Sequence, residues 1–140
     1  MESNWVTLYT DASGLGGYGI YGVSSYGRLE RGGKCGYRDS IACELFAILQ
    51  GIRECIQKWT KIEGVLVRSD SQQALKLAVN AVEERFSRRS DLKEIQQALR
   101  DTVGDEVTLR AKWVRGHQSS NSSSAYLNRK VDKLAAEYSR

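Results

Sequence analysis

The sequence VTLYTDASG, residues 6–14, predicts a β-strand that ends on a carboxylate and then turns. Two sets of side chains alternate along it: Val6, Leu8 and Thr10, and Thr7, Tyr9 and Asp11. β-Branched and aromatic residues are also frequent, which favours a strand. Ser13 and Gly14 begin a loop, so Asp11 lies at the end of the strand. A strand holds such a carboxylate on rigid backbone, while the edge of the sheet leaves it accessible to a metal ion. Asp11 is therefore the first candidate site residue.

The composition of the 140 residues predicts a single globular domain, residues 1–140. Apolar residues make up 41% and charged residues 27% of the chain, which excludes a disordered protein. No apolar run is long enough to cross a membrane and no signal-peptide pattern begins the chain, so we expect a soluble, cytoplasmic protein. The net charge of +4 is compatible with a polyanionic partner but decides little alone.

The three cysteines, Cys35, Cys43 and Cys55, form no CxxC pair and are odd in number. Such a set predicts neither a disulfide framework nor a zinc site. We therefore expect buried, reduced thiols.

A glycine-rich stretch after Asp11 formally matches the GxGxxG pattern at Gly14, Gly16 and Gly19. A dinucleotide site requires this pattern to open a helix, but the residues that follow alternate like a strand. A hairpin turn is therefore the better interpretation. A third strand is predicted at about residues 28–37, with a bulge or bend at its paired glycines. The chain thus begins as a three-stranded antiparallel meander.

From Ser40, the predicted N-cap, the apolar residues recur at helical spacing. Glu44 lies at the edge of the apolar stripe that should face the sheet. A glutamate aimed at the sheet needs a partner or a cation. Taken alone, Glu44 is better explained as a solvated residue on the flank of the helix.

Residues 64–71 predict a second buried strand that also ends on an aspartate, Asp70. The strand–helix–strand connection makes it parallel to the first strand. Taken alone, Asp70 or Ser71 could simply cap the helix that follows. Two parallel strands that each place an aspartate at the same edge of the sheet indicate a shared site more strongly than either aspartate alone.

The next stretch, residues 79–100, is helical but polar, and Ser90 is a candidate N-cap within it. Its mixed charges are typical of a solvated face, although the arginines could contact phosphates. These are Arg85, Arg88 and Arg89.

Three predicted elements complete the chain. The first is a strand with one apolar face at residues 107–114, the second is a mobile serine-rich loop at residues 118–125, and the third is a last helix. The inner stripe of the helix is predicted to contain Val131, Leu134, Ala135 and Tyr138. Asp132 lies in the first predicted turn and Asn128 one turn earlier. The lone histidine, His117, begins the loop and would be incidental if nothing else were known.

Together these motifs resemble the type 1 ribonuclease H family, which includes the ribonuclease H domains of reverse transcriptases. The motifs are YTDASG (9–14), CEL (43–45), SDSQ (69–72), WVRGH (113–117) and the Asn128–Asp132 spacing followed by Leu134 and Ala135. The resemblance covers nearly the whole chain in order. It implies an α/β, ribonuclease H-like fold: a five-stranded mixed sheet, with three antiparallel strands and then parallel ones, and helices on both faces.

The resemblance implies an endonuclease that hydrolyses the RNA strand of RNA/DNA hybrids with two metal ions, leaving 5′-phosphate and 3′-hydroxyl ends. Asp11 would bridge the ions, Glu44 and Asp70 would complete one metal site, and Asp132 the other. His117 would move a proton or assist product release. Contacts with the substrate are implied for Ser13, Ser71, Gln72 and Asn128.

Carboxylates without thiol or imidazole clusters independently favour Mg²⁺, with Mn²⁺ as a substitute. No small-molecule cofactor and no membrane partner are expected, and the protein is expected to be a monomer that binds the hybrid.

Two alternative classes stay open. A non-catalytic nucleic-acid-binding domain can share the fold, although the presence of all four acids and His117 argues for an enzyme. A related nuclease that acts on DNA, such as a junction resolvase or a transposase core, is the second; the WVRGH motif and the Asn128–Asp132 spacing favour ribonuclease H. The run DSIAC at residues 39–43 is less polar than in many family members, so weaker groove contacts are expected there.

Overall fold

The computed structural model describes residues 4–13, 16–115 and 123–138. Along these residues the chain forms β1 (Trp5–Ala12), β2 (Gly17–Ser24), β3 (Gly27–Lys34), α1 (Ser40–Lys58), β4 (Gly64–Ser69), α2 (Gln72–Val82), α3 (Ser90–Val103), β5 (Thr108–Trp113) and α4 (Ser123–Tyr138). Within this part of the chain, none of the helices combines the length and apolar character that crossing a membrane requires.

The five strands form one mixed sheet in the order β3-β2-β1-β4-β5. β1 pairs antiparallel with β2, and β2 with β3, as short hairpin connections allow. β4 lies parallel to both β1 and β5 because helical crossovers separate these strands in sequence. The predicted mixed sheet, with its antiparallel meander followed by parallel strands, is confirmed.

Helices cover both faces of the sheet, as predicted. On one face, α1 packs so closely on β1 that a Cβ at Gly51 would lie 2.7 Å from a methyl group of Leu8. On the other face, the buried side chains of Tyr9 and Tyr21 pack with Val131 of α4. Alternate residues of β1 thus enter two different hydrophobic clusters, which follows from the two-residue period of a strand.

The N-caps of α1 and α3 differ from the predicted ones by one residue, whereas Ser71, one of the two caps predicted for α2, is confirmed. Asp39, not Ser40, caps α1, because its carboxylate accepts a hydrogen bond from the Ala42 N–H at 3.0 Å. Ser71 caps α2 through its hydroxyl oxygen, which accepts from the Ala74 N–H at 3.2 Å. Ser90 is the first residue of α3 and does not serve as its cap. Asp70 is therefore not needed as a cap.

Two predicted strands need correction. β3 ends at Lys34 and carries no bulge, since its pairing with β2 is unbroken from Gly17–Lys34 to Ser24–Gly27. Gly32 instead makes room for the ring of Tyr138, which a Cβ there would overlap. The predicted apolar face of β5 is right for Val107 and Leu109, which pack against the core, but Ala111 and Trp113 are exposed on this edge strand.

The last helix begins earlier than predicted. α4 starts at Ser123, so Asp132 lies well inside the helix and not in its first turn. Of the predicted inner stripe, Val131 and Ala135 are buried, whereas Tyr138 is 42% exposed. Residues 118–122 of the predicted serine loop lie outside the described residues.

The cysteine prediction is half wrong. Cys35 and Cys43 form a disulfide across the connection from β3 to α1, with a Cα–Cα distance of 6.0 Å. Cys55 is a buried free thiol, as predicted. The pairing depends on the fold, because only the turn between β3 and α1 brings these two residues together.

Candidate active site

Parallel pairing of β1 and β4 sets two aspartates side by side. The register places Tyr9 opposite Arg68, so two residues further along Asp11 lies level with Asp70, just beyond the end of β4. Glu44 approaches the same edge from the second turn of α1. Backbone pairing and helix packing therefore position all three side chains.

These three residues, which we call the acid cluster, are close enough to share a cation. One oxygen from each of Asp11, Glu44 and Asp70 lies within 4.8 Å of the others. Asp11 is only 3% exposed, and the Oε2 atom of Glu44 is buried without a hydrogen-bond partner. A buried carboxylate oxygen that lacks a donor is costly unless a cation approaches it. The cluster thus fits a hard divalent ion, which prefers oxygen ligands.

The electrostatics of the cluster agree with this fit. Burial, a hydrogen bond with Asp132 and the charges of Glu44 and Asp70 all raise the pKa of Asp11. Burial and the charge of Asp70 likewise raise the pKa of Glu44. Carboxylates crowded in a dry site repel one another, and a bound cation removes that repulsion.

Asp132 lies beside the cluster but is not one of its members. It forms a hydrogen bond with Asp11 from its position on α4, yet its own side chain is on the exposed face of that helix. Asp11 therefore interacts with all three other acids: with Glu44 and Asp70 in the cluster, and with Asp132 on α4.

The structure gives different surroundings to the other predicted site residues that it describes. Ser13 begins the turn after β1, where its N–H donates to the Gly17 carbonyl at 2.8 Å. Gln72 is exposed at the start of α2. Asn128 is 4% exposed, and its Oδ1 atom has no hydrogen-bond partner. Ser71 caps α2 as described above. His117 lies outside the described residues.

The arginines of the α2–α3 connection are largely engaged with neighbouring acids. Arg89 pairs with Asp39 at 3.1 Å and with Asp91 at 2.6 Å. Arg85 pairs with Glu83. These contacts favour a structural role for both side chains, with Arg89 linking the start of α3 to the cap of α1.

Periodicity alone places Trp113 on an apolar face and misses its contact with the site. Its Nε1–H donates to the backbone carbonyl of Asp70 at 3.1 Å, across the ends of β5 and β4. A neighbouring hydrogen bond from the Val114 N–H to the Ser69 carbonyl, at 2.9 Å, holds the same two strand ends together. The sequence could not predict this contact, because it depends on the parallel pairing of the two strands.

The model of the RNase H family matches residues 3–140, so the chain belongs to this family. Family membership makes the protein a ribonuclease H enzyme. A comparison with curated proteins finds no match.

Solved structures of ribonucleases H share the fold. RNase H1 from the halophilic archaeon Halobacterium salinarum NRC-1 is 18% identical, with a TM-score of 0.70 and coverage of 96% of each chain. LC11-RNase H1, isolated from compost and solved in complex with an RNA/DNA hybrid, is 20% identical, with a TM-score of 0.69 and coverage of 94% of each chain. Prototype foamy virus protease–reverse transcriptase is 19% identical, with a TM-score of 0.68 over 96% of this chain and 20% of that one. The predicted ribonuclease H-like fold is confirmed.

Proposed function

We propose that this ribonuclease H hydrolyses the RNA strand of RNA/DNA hybrids by two-metal-ion catalysis, leaving 5′-phosphate and 3′-hydroxyl ends. The observation that carries the proposal is the acid cluster, whose three oxygens lie within 4.8 Å of one another in a chain of the RNase H family. The complex of the similar LC11-RNase H1 with an RNA/DNA hybrid supports the substrate.

Asp11, Glu44 and Asp70 would hold one divalent cation, and Asp11 with Asp132 the second. Mg²⁺ is the proposed ion, with Mn²⁺ as a substitute, because both prefer carboxylate oxygens. When bound, such a pair of ions supplies an activated water and stabilises the charge of the leaving oxygen. The interaction of Asp11 with both the acid cluster and Asp132 supports this division.

The residues of the site hold the reacting groups in position, and burial keeps water away from some of the acids. Asp11 is fixed by the β1–β4 pairing, and its Oδ1 accepts the Ala12 N–H at 2.9 Å. Burial of Asp11 and Glu44 strengthens every electrostatic interaction at the reacting phosphate. We propose that His117 either moves a proton, as a general acid–base catalyst, or assists product release.

Substrate contacts are proposed for Ser13, Ser71, Gln72 and Asn128. The unpartnered Oδ1 atom of the buried Asn128 supports a role for that residue in holding either His117 or the nucleic-acid backbone. Contacts with phosphates and sugars do not read sequence, so we expect little sequence preference and an affinity that falls with salt.

We further propose that residues 1–140 act as one domain and as a monomer. The family match over residues 3–140 supports the single domain. The Cys35–Cys43 disulfide argues against the predicted cytoplasmic location, because disulfides are rare in reducing compartments.

The test is cleavage of a labelled RNA/DNA hybrid with Mg²⁺ omitted and restored. We expect endonucleolytic cutting of the RNA strand alone, dependent on metal, with 5′-phosphate ends. Single-stranded RNA and duplex DNA serve as controls. Equal cleavage of either control would contradict the proposed substrate, and binding of the hybrid without cleavage in Mg²⁺ or Mn²⁺ would favour a non-catalytic domain.

A further inference from the structure

A polar groove of about 590 Å³ adjoins the acid cluster where α2 begins beside β5. We call it the Trp113 groove, and it is lined by Asp70, Ser71, Gln72, Gln73, Lys76 and Trp113. Asp70 belongs to both the groove and the acid cluster, so the two are continuous. A strand of nucleic acid whose phosphate reaches the acids can therefore extend into the groove.

Trp113 offers an open, fixed aromatic surface in this groove. It lies on the edge strand β5 and is 47% exposed. Its Nε1–H donates to the Asp70 carbonyl at 3.1 Å, which restrains the indole relative to the acid cluster. A rigid aromatic ring with an accessible face binds a nucleobase by stacking, at little cost in side-chain entropy.

The remaining lining of the groove matches the other parts of a nucleotide. Lys76 is exposed and offers a cation for a phosphate. The amides of Gln72 and Gln73 can both donate to and accept from a base edge. Bases inside a duplex already stack on each other, so a protein ring can stack only on a base that is unpaired or splayed out.

We propose that the Trp113 groove binds an unpaired nucleotide of the strand being cut. The enzyme then binds a hybrid more tightly when its RNA strand continues beyond the duplex as a single-stranded tail. This inference rests on the proposed function, since that function places the RNA strand at the acid cluster.

The experiment compares short hybrids with a blunt end, a 5′ RNA tail or a 3′ RNA tail, at constant salt. Base–aromatic stacking predicts that one tail polarity lowers KM about tenfold relative to the blunt hybrid. The variants Trp113→Leu and Lys76→Gln should reduce this tail advantage towards one. Lys61→Gln, an equal change of charge in the connection between α1 and β4, should retain it.

Trp113→Phe separates the two contacts of the indole. Phenylalanine keeps a ring for stacking but lacks the N–H that bonds to Asp70, so we expect much of the tail advantage to remain while kcat falls on every hybrid. If Trp113→Leu fails to fold by circular dichroism, the exposed Lys76→Gln variant decides the test. A tail advantage that is absent, or that survives both Trp113→Leu and Lys76→Gln, would overturn the proposal.

Binding measured without metal keeps the two proposals distinguishable. Fluorescence anisotropy of labelled hybrids in a chelator reports affinity without cleavage, and we expect the same tail preference there. Equal affinity for tailed and blunt hybrids, in an enzyme that still cleaves with Mg²⁺, overturns the groove proposal alone. Absence of cleavage on every hybrid overturns the proposed function alone, because the tail preference in binding is then still measured.

Discussion

The two ends of strands β1 and β4 differ in what they bury. At the starting end, aromatic rings and backbone hydrogen bonds close the sheet: the Trp5 indole covers Gly64, the Arg110 guanidinium lies 4.9 Å from the centre of that indole, and the Glu63 N–H donates to the Asn4 carbonyl at 2.8 Å. At the finishing end, the same strands present Asp11 and Asp70 to Glu44 in a cluster of like charges.

Contacts at the starting end stabilise the fold, whereas the like charges at the finishing end destabilise it. Apolar and aromatic burial stabilises the fold, whereas three crowded carboxylates, of which Asp11 is buried and the others are half-buried, repel one another and destabilise it. A chain that places such a cluster on its most rigid strands loses stability unless a cation binds there. Changes at the finishing end should therefore act on catalysis, and changes at the starting end on folding.

The largest effect is expected for Asp70→Asn, which should lower kcat on a hybrid by roughly 10³-fold, because the amide lacks the charge that a hard cation requires. Hybrid binding should be nearly intact, since phosphate contacts lie elsewhere. Folding should hold or improve, because Ser71 caps α2 and one repelling charge is gone. Single-turnover cleavage and anisotropy measure both quantities.

Asp101→Asn is the matched control for Asp70→Asn, because Asp101 is exposed on α3 far along the chain from the acids. It should cleave at the parent's rate. Parent-like cleavage by Asp70→Asn would remove Asp70 from the metal site, and joint loss of binding and cleavage in a folded variant would mean that Asp70 holds substrate.

His117→Ala should have the next largest effect, slowing turnover by about 10²-fold while leaving measurable cleavage, since proton transfer contributes to the rate but does not hold the metal. The rate should be measured in single turnover and in steady state, which separates chemistry from product release. Gln118→Ala, one residue along, is the control. An unchanged rate in both assays would show that His117 is incidental.

At the starting end, Gly64→Ala should lower the free energy of unfolding by about 1–3 kcal/mol, because a Cβ there would overlap the Trp5 indole. Cleavage by the folded variant should equal the parent's, although Gly64 lies on the same strand that leads to Asp70. Urea denaturation measures the free energy of unfolding, and a hybrid-cleavage assay measures the rate. Gly36→Ala, where a Cβ meets nothing within 4 Å, should change neither. A cleavage defect in Gly64→Ala would mean that the two ends are coupled.

The last effect concerns the parent protein itself: a pH dependence of stability without metal. Burial raises the pKa of Asp11 and of Glu44, so the folded chain keeps protons that the unfolded chain has released. The free energy of unfolding should then fall as pH rises from about 5 to about 8, by at most about 1.4 kcal/mol per pH unit for each proton.

Glu44→Gln should flatten this slope, and added Mg²⁺ should oppose the loss because it binds the folded state. Glu106→Gln, an exposed change of the same kind, should leave the slope as in the parent. Denaturant unfolding at several pH values in a chelator measures it. A stability that rises over this range in the parent would contradict the raised pKa values.

The sequence alone predicted the order of strands and helices, the mixed sheet and the two aspartates at one edge of that sheet. Local signals suffice for these features: a two-residue period along β1, a helical period from Ser40 and an aspartate after each of two parallel strands. The motif order supplied the resemblance to the family, which the match over residues 3–140 confirmed.

Tertiary contacts decided the features that local signals do not contain. The exposure of β5 follows from its place at the edge of the sheet, the Cys35–Cys43 pairing from the turn before α1, and the Trp113–Asp70 hydrogen bond from the β4–β5 register. Each joins residues through elements whose relative positions are set only when the whole sheet has formed. Periodicity describes which way a side chain points along its own element, whereas a contact between elements depends on packing that no single stretch of sequence encodes.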